Sequence, residues 1–271
     1  MESFSHIPVM LNETLDLLNV RQGGAYLDGT FGGGGHSQEL IRRGGQVTAI
    51  DRDADAVQVA ARLKIPIIRG NFAEILPTLT DTYDGMLFDL GVSSHQLDTA
   101  ERGFSFRRDA PLDMRMDQSS ELSAYTIVNE WPYEELKRIF YAYGEERYAP
   151  QIARRILEYR ERKPIETTLE LTELLKSHPK RVFQALRIAV NNELSSLEQM
   201  LEIAPEHLNP GGVIAIITFH SLEDRIVKNA FRADGRLQVL TKHPLTASDQ
   251  ELAANPRSSS AKLRAAKKKE G

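Results

Sequence analysis

Cysteine is missing from all 271 residues of the chain, and no apolar run approaches the length of a membrane span. The lack of cysteine excludes disulfides, thiolate zinc sites and a cysteine nucleophile, and it agrees with a reducing compartment. A helix that spans a bilayer needs about 18 apolar residues, and the first six residues lack the basic start of a secretory signal. We therefore expect a cytoplasmic protein with no membrane partner, and we predict no metal site.

Negative charge dominates the chain as a whole, whereas its last sixteen residues are strongly basic. The formal net charge is −4. Residues 256–271 contain six bases and one acid, so the remainder of the chain carries a net charge of −9. Such a basic tail can neutralise the phosphates of a polyanion, and a solvated, disordered tail has the same composition. Charge alone leaves both interpretations open.

Short apolar runs alternate with helical patterns through the first hundred residues, which is typical of βα units around a parallel sheet. Four runs are predicted as strands covered by helices on both faces, because nearly every residue in them is apolar. These strands are residues 25–28, 46–50, 66–69 and 85–89. Helices are predicted at 37–43, with Ser37 near the N-cap, and at 54–63. Near the end of the chain, the pattern predicts a strand at 211–218, a helix at 222–231 and a strand near 237–241.

Helical periodicity replaces this alternation between about residues 119 and 200, where no strand is predicted. The candidate helices are residues 133–141, 148–162, 168–176 and 182–203. The simplest architecture is one α/β domain, residues 1–108 and 201–271, with an all-helical insertion at residues 109–200 between its fourth and fifth strands.

Four consecutive glycines, Gly32 to Gly35, follow the first strand and precede a helix. Glycine lets the backbone turn sharply and approach a ligand, and N–H groups at a helix start can bind polar atoms. The dinucleotide fingerprint fails because its last glycine or alanine position holds Ser37, and the P-loop fails because its lysine position holds Gly35. Asp28, with glycines four and six positions later, resembles instead the first motif of Rossmann-like methyltransferases.

Two later residues are candidates for binding the adenosine part of a cofactor. Asp51 ends the second strand, where a carboxylate can accept both ribose hydroxyls, while Asp53 suits the N-cap of the next helix. Phe72 follows the third strand and could pack on the adenine, although a core position is the more common use of such a ring. Together with Asn71 and the strand-end Asp89, this order predicts S-adenosylmethionine as the cofactor.

Long motifs along nearly the entire chain resemble the RsmH (MraW) family of small-subunit rRNA (cytosine-N4)-methyltransferases. They include Phe88-Asp-Leu-Gly-Val-Ser-Ser94 and Thr218-Phe-His-Ser-Leu-Glu-Asp-Arg225. The other matching segments are residues 6–10, 28–37, 50–53, 70–72, 101–107, 111–117, 143–147, 183–191 and 255–264. Thr218 departs from the serine expected there, and the connection around residues 43–45 is short.

The resemblance implies a Rossmann-like class I methyltransferase fold, a doubly wound α/β sheet with an all-helical insertion domain. The α/β domain would bind S-adenosylmethionine, and the insertion would recognise RNA. The implied activity is methyl transfer to N4 of a cytidine in the decoding region of 16S rRNA, so the small ribosomal subunit is the expected partner. Oligomeric state is left open, with a homodimer as one option. The implied cofactor contacts are Gly34, Gly35, His36, Asp51, Phe72, Asp89 and Gln96.

The exocyclic amine of cytosine is a poor nucleophile because its lone pair is delocalised into the ring. Catalysis therefore needs acceptors aimed at its N–H bonds. Asp89 is suitably placed, and backbone carbonyls near Leu90 or Gly91 could serve equally well. The Asp/Asn/Ser-Pro-Pro-aromatic turn of many amino-methyltransferases is missing here. A stacking platform for the base would then come from Phe104, Phe106 or His220.

Asp113 and His220 are the other candidate catalytic residues. Asp113 could act as an acceptor or an acid, or it could pair with Arg115 or Arg107 and fix a loop. His220 follows a buried strand at the carboxyl edge of the sheet, where ligands bind in this architecture, but it could equally cap the next helix. No Gly-x-Ser-x-Gly elbow surrounds Ser221, which argues against a Ser/His hydrolase.

Basic residues also mark the insertion. Residues 147–163 carry six bases and two acids. With Lys180, Arg181 and the tail, this segment could form a phosphate track, or it could be a solvated helix face. Two further interpretations stay open: a methyltransferase that acts on DNA, a protein or a small molecule, and a noncatalytic module that binds the ribosome.

Overall fold

The computed structural model describes residues 8–176 and 178–270, which divide into two compact units. The first unit runs up to Gly91 and resumes at Leu194, and the second comprises residues 92–193. The second unit therefore begins before the predicted insertion, residues 109–200, and ends before it as well. Apolar side chains from residues 92–108 pack into the core of the second unit, which explains its earlier start. In the matching segment 6–10, His6 and Ile7 lie outside the described residues.

One sheet organises the first unit, and its described strands are β1 (Ala25–Asp28), β2 (Gln46–Asp51), β3 (Ile67–Arg69), β4 (Tyr83–Asp89), β5 (Leu208–Thr218), β6 (Leu237–Val239), β7 (Leu245–Thr246) and β8 (Lys262–Lys268). The order is β3-β2-β1-β4-β5-β8-β6, and β7 pairs with β8. Strands β1 to β5 are parallel, whereas β8 runs antiparallel to its neighbours. Strand order reverses between β1 and β4, and open α/β sheets bind ligands beside such a reversal, at the carboxyl ends of the strands.

Alternate residues of the central strands enter two different hydrophobic clusters. In β4, Met86 and Phe88 belong to one cluster and Leu87 to the other. In β1, Leu27 and Tyr26 divide in the same way. Because successive side chains of a strand point to opposite faces, the sheet has a core on each face. The nearly continuous apolar runs of the sequence follow from this double burial.

Helices make up most of the remaining regular structure. The described α-helices are α1 (Leu11–Leu18), α2 (Gly35–Arg42), α3 (Ala54–Leu63), α4 (Phe72–Ile75), α5 (Ser94–Asp98), α6 (Ala124–Glu130), α7 (Tyr133–Ala142), α8 (Ala149–Arg160), α9 (Thr168–Leu175), α10 (Pro179–Asn191), α11 (Glu193–Ile203), α12 (Ser221–Ala233) and α13 (Asp249–Ala254). Helices α5 to α10 build the second unit, where the described residues also form one isolated bridge, Pro111 with Thr167.

The single helix predicted at residues 182–203 is two helices, α10 and α11. Asn192 lies between them with a φ of 50°, in the left-handed region. Asparagine adopts this conformation more readily than most residues, and a residue in that conformation ends a helix. The chain passes from the second unit to the first one residue further on.

The basic tail contains a short 3-10 helix, Pro256–Ser260, and strand β8, so the interpretation of a disordered tail was wrong. Strand β8 lies between β5 and β6, and its central residues 263–266 are buried. The side chain of Arg264 is only 6% exposed and pairs with Asp224 on α12, with Nε 2.6 Å from Oδ1. The bases of this segment flank the apolar residues Leu263, Ala265 and Ala266, which the sheet buries.

We expect Arg264→Ala to lower the free energy of unfolding by about 2–3 kcal/mol, because it leaves the largely buried Asp224 carboxylate with only the more exposed Lys262 as a partner. Urea denaturation would measure the loss. Lys262→Ala is the matched control: Lys262 approaches the same carboxylate at 3.5 Å but is 40% exposed, so we expect a loss below about 1 kcal/mol. Equal losses in the two variants would contradict the importance of the buried pair.

Candidate active site

The glycine loop joins β1 to α2 and is shaped by its own packing. Gly32 and Gly34 have φ values of 52° and 76°, in the region that disfavours side chains. A Cβ on Gly34 would lie 2.5 Å from Phe31 Cζ, and one on Gly35 would lie 2.3 Å from Pro8 Cγ. At Gly33, by contrast, no atom lies within 4 Å of a Cβ position. The loop therefore leaves open space beside Gly33.

Asp28, at the end of β1, is a buried carboxylate that holds the loop. It accepts hydrogen bonds from the Ser37 hydroxyl at 2.6 Å and from the Thr30 N–H at 3.2 Å. Helix α2 begins at Gly35 with Gly34 at its N-cap, so the expectation that Ser37 caps this helix was wrong. Burial, opposed by these hydrogen bonds, raises the pKa of Asp28 from 3.8 to about 6.

We expect Asp28→Asn to remove the loss of stability that the wild type shows as the pH rises. Because its pKa is raised, folded Asp28 keeps a proton between about pH 4 and 6, where the unfolded chain has released it. The free energy of unfolding of the wild type therefore falls as pH rises through this window, by about 3 kcal/mol for this group. We expect the variant to gain about 2–3 kcal/mol on the wild type between pH 4 and 7 in urea denaturation. Parallel stability curves for the two proteins would contradict the assignment.

Asp51, at the end of β2, ties the second strand to the glycine loop. Its Oδ2 accepts the Gly32 N–H at 2.8 Å, and its Oδ1 accepts the Asp53 N–H at 2.9 Å. Burial raises the pKa of the Asp51 carboxyl group above its usual value. Asp53 caps α3 by accepting the Asp55 N–H, as predicted, so the capping role does not fall to Asp51.

Asn71 and Phe72 follow β3 and form the start of α4. Asn71 caps this short helix, and its amide donates to the Ser196 hydroxyl at 2.8 Å. Phe72 is 9% exposed and packs edge-on against Phe88, with ring centroids 5.5 Å apart. The ring is thus part of the core, and contact with an adenine stays a prediction.

Asp89, at the end of β4, lies beside His36 of α2. His36 Nδ1 is 3.9 Å from Asp89 Oδ2, and His36 Nε2 is 3.1 Å from the Val9 carbonyl oxygen. A carbonyl can only accept, so Nε2 carries the hydrogen and a neutral His36 presents an acceptor at Nδ1. The Asp89 N–H donates to the Thr30 hydroxyl oxygen at 2.6 Å. Asp89 Oδ1 is buried and has no hydrogen-bond partner among the described residues.

The surroundings of Asp89 favour its protonated form. Burial, followed by the neighbouring carboxyl groups of Asp28, Glu223 and Glu251, raises the pKa of Asp89 well above its usual range. A carboxylate that is costly to ionise is a stronger base once it is ionised. The group therefore suits a site where a proton must be accepted.

His220 caps α12, as one of its two sequence interpretations had it. Its Nδ1 accepts the Glu223 N–H at 3.4 Å, and Glu223 Oε2 accepts the Phe219 N–H at 2.8 Å and the His220 N–H at 3.3 Å. His220 Nε2 lies 3.2 Å from Glu223 Oε1. The geometry therefore supports the structural role of His220.

Gln96 and Asp113 belong to the second unit. Gln96 completes a capping box at the start of α5, where its side-chain oxygen accepts the Ser93 N–H at 3.0 Å. Asp113 forms a two-point salt bridge with Arg115, with distances of 2.7 and 3.0 Å. This is the loop-fixing arrangement that was the alternative to a catalytic role for Asp113.

Phe104 and Phe106, two of the residues predicted to stack on the base, are packed within the second unit. Phe104 is 9% exposed and belongs to its core, with Arg102 over the ring at 5.9 Å. Phe106 packs edge-on against Phe183 with centroids 5.7 Å apart. Phe104 is therefore closed to a base, whereas Phe106 is only half-buried.

Sequence reasoning missed three residues that organise the site. Thr30 joins the glycine loop to β4 through its bond to the Asp89 N–H, and its place inside the loop motif was an available signal. Glu223 and Glu251 both act on Asp89 by their charge. Glu251 also accepts the Met10 N–H at 2.7 Å, across 241 residues, and no local pattern could indicate that contact.

The family model described as the MraW methylase family matches residues 3–269. The chain belongs to this family. Two curated relatives named ribosomal RNA small subunit methyltransferase H come from Carboxydothermus hydrogenoformans and Trichormus variabilis. The first is 50% identical over 305 positions, covering 98% of this chain and 98% of the relative. The second is 52% identical over 288 positions, covering 98% and 93%.

A structural comparison agrees with the fold of the MraW methylase family member. A Clostridium thermocellum crystal structure described as a candidate rRNA methylase matches with a TM-score of 0.50 and 14% identity, covering 97% of this chain and 99% of the other. Identity this low shows the fold alone. The predicted Rossmann-like methyltransferase fold is confirmed, and S-adenosylmethionine is the cofactor of this methyltransferase.

The residues at the reversal of strand order suit that cofactor. Asp89 offers a buried oxygen without a partner, and the loop leaves space beside Gly33. Each Asp51 oxygen accepts one backbone N–H and can accept a second hydrogen bond, as two ribose hydroxyls require. Among the described residues, no helix is both long and apolar enough to cross a membrane.

The basic helix of this methyltransferase is less available to phosphates than its charge predicts. Arg155 donates to the Leu174 carbonyl at 3.0 Å, Arg160 donates to the carbonyls of Val128 and Trp131, and Lys163 pairs with Glu170 at 2.6 Å. Some bases of the 147–163 segment thus have partners within the protein, and a phosphate track that includes this segment stays a prediction. The bases of this segment that are exposed and have no such contact are Arg147, Arg154 and Arg162.

Proposed function

We propose that this methyltransferase transfers a methyl group from S-adenosylmethionine to N4 of a cytidine in the decoding region of 16S rRNA. The observation that carries the proposal is Asp89, at the carboxyl end of β4, whose side chain is 24% exposed and whose Oδ1 has no hydrogen-bond partner among the described residues. The shared name of the relatives supports small-subunit rRNA as the substrate. The motif resemblance supports the cytidine amine as the acceptor group.

In this mechanism, Asp89 makes the N4 amine more nucleophilic. Its carboxylate accepts an N4–H bond, which increases the electron density on nitrogen and orients the lone pair. The bound cofactor supplies an electrophilic methyl group on its sulfonium. Asp89 then takes the proton that N4 releases. His220 and Asp113 keep structural roles, because each is engaged in the contacts described above.

The remaining predicted site residues hold the cofactor. Gly34, Gly35 and His36 present the start of α2, and Asp51 binds the ribose hydroxyls. Phe72 bounds the adenine site, and Gln96 is the remaining predicted cofactor contact. Residues 92–193 recognise the RNA.

Small ribosomal subunits from a strain that lacks the gene provide the direct test. We expect the purified protein and S-adenosylmethionine to produce N4-methylcytidine in the decoding region, as measured by mass spectrometry of nuclease fragments. Subunits incubated without the cofactor are the control. Absence of N4-methylcytidine from the decoding region, or methylation of a different nucleoside instead, would overturn the proposal.

A further inference from the structure

Tyr148 is the most exposed of the large apolar and aromatic residues that the structure describes. Tyr148 immediately precedes α8 and is 55% exposed. Its ring stacks on the His178 imidazole, with centroids 6.1 Å apart and planes inclined by 21°. His178 is itself exposed and has a φ of 59°, in the left-handed region. Tyr148 and His178 together are called the stacking platform below.

The loop that carries Tyr148 is fixed to α10. The Gln184 amide donates to the Tyr143 carbonyl at 2.8 Å, and the Arg181 guanidinium donates to the Glu145 carbonyl at 3.2 Å. The Tyr148 N–H donates to Glu146, which is fully buried, at 2.8 Å. A ring held by an ordered backbone loses little conformational entropy when it binds a partner.

Exposed bases adjoin both residues of the platform in the chain, while Glu145 and Glu146 precede Arg147. Arg147 adjoins Tyr148, while Lys180 and Arg181 follow His178, and all three are exposed. Residues 176–182 contain three bases and no acid, whereas the whole chain has a net charge of −4. An exposed ring beside clustered cations matches a polyanion whose flat groups are free to stack.

We propose that the stacking platform, with Arg147, Lys180 and Arg181, binds single-stranded RNA with one base on Tyr148. The inference rests on the proposed function for RNA as the substrate class, and it adds where an unpaired segment is held. A duplex keeps its bases stacked inside, so it cannot use the Tyr148 face in this way. The cations contact phosphates and supply affinity that does not depend on sequence.

The aromatic contribution can be measured with a fluorescein-labelled single-stranded RNA of about fifteen nucleotides by anisotropy. We expect Tyr148→Ala to weaken binding about tenfold and Tyr148→Phe to bind like the wild type, because stacking needs the ring and not the hydroxyl. Tyr125→Ala is the matched control, since Tyr125 is an exposed tyrosine on α6 (37% exposed). A duplex probe should not respond to Tyr148→Ala. Unchanged binding in Tyr148→Ala, or an equal loss for the duplex, overturns the proposal.

The contribution of the bases to RNA binding can be measured from the salt dependence of the affinity. Removing two phosphate contacts should reduce the slope of log affinity against log salt by about 1.4 for a single strand. We expect this reduction for Arg147→Ala/Lys180→Ala and not for Arg232→Ala/Lys242→Ala, which removes two exposed bases of the first unit. Equal slopes for the two double variants overturn the proposal.

Methyl transfer separates this inference from the proposed function. With small subunits as substrate, the Tyr148→Ala variant should show a raised KM for the subunit, an unchanged kcat and unchanged cofactor binding in calorimetry. If the wild type fails to methylate the subunits, the proposed function fails, and the RNA probe still decides the platform. If the wild type methylates them but does not bind the single-stranded probe, the platform is wrong and the proposed function stands.

Discussion

Asp51→Ala should weaken the binding of S-adenosylmethionine about a thousandfold while the chain remains folded. Under the proposed function, the substitution removes the acceptor for two ribose hydroxyls, and hydrogen bonds to a charged group contribute about 1.5–3 kcal/mol each. It also frees the Gly32 and Asp53 N–H groups, so the glycine loop loses its tie to β2. Isothermal titration calorimetry measures the affinity, and circular dichroism with thermal melting checks the fold.

Two further variants distinguish direct contact with the cofactor from a structural change in the glycine loop. Gly33→Ala places a methyl group where the protein has no atom within 4 Å, so its thermal stability should equal that of the wild type. If the cofactor lies against this loop, its affinity should nevertheless fall about tenfold. Glu198→Ala, at an exposed acid on α11, should change neither property. Tight cofactor binding by both Asp51→Ala and Gly33→Ala would show that the cofactor lies elsewhere.

The features of this site that could be predicted are local ones. Asp28, Asp51 and Asp89 each end an apolar run, and the ends of parallel strands meet at one edge of a sheet. Their proximity therefore followed from periodicity alone. The glycine loop was recognised for the same reason, since its spacing lies within a few residues.

The features that could not be predicted depend on contacts between distant segments. The strand role of residues 262–268 requires β5 as a partner, and their bases outweighed the apolar centre in any compositional argument. Likewise, a histidine after a strand end suits catalysis and capping equally. The bond between the Glu223 N–H and His220 Nδ1, together with the reciprocal bonds to Glu223, shows the capping role.

The acids around Asp89 and the bases beside the proposed stacking platform suit different parts of the reaction. The carboxyl groups of Asp28, Glu223 and Glu251 raise the pKa of Asp89, and they would repel RNA phosphates. The exposed bases beside the platform would attract those phosphates.

Asp89→Asn should lower kcat for methyl transfer by about a thousandfold and change cofactor affinity by less than about fivefold. The amide keeps the size of the side chain but cannot accept a proton, and a positioned general base contributes about a hundredfold to ten-thousandfold. Because burial raises the pKa of Asp89, the wild-type kcat should rise with pH through that pKa and then level off. The variant should show no such rise.

The control for this prediction lies at the opposite end of the sheet. Asp81 is an exposed acid just before β4, and Asp81→Asn should retain the wild-type kcat and pH profile. Single-turnover rates with small subunits, measured across the pH range, compare the three proteins. If Asp89→Asn keeps the wild-type rate, the proton acceptor is a different group, and the carbonyls of Leu90 and Gly91 become the first candidates. If the rate falls but the pH dependence persists, Asp89 orients the amine and another group titrates.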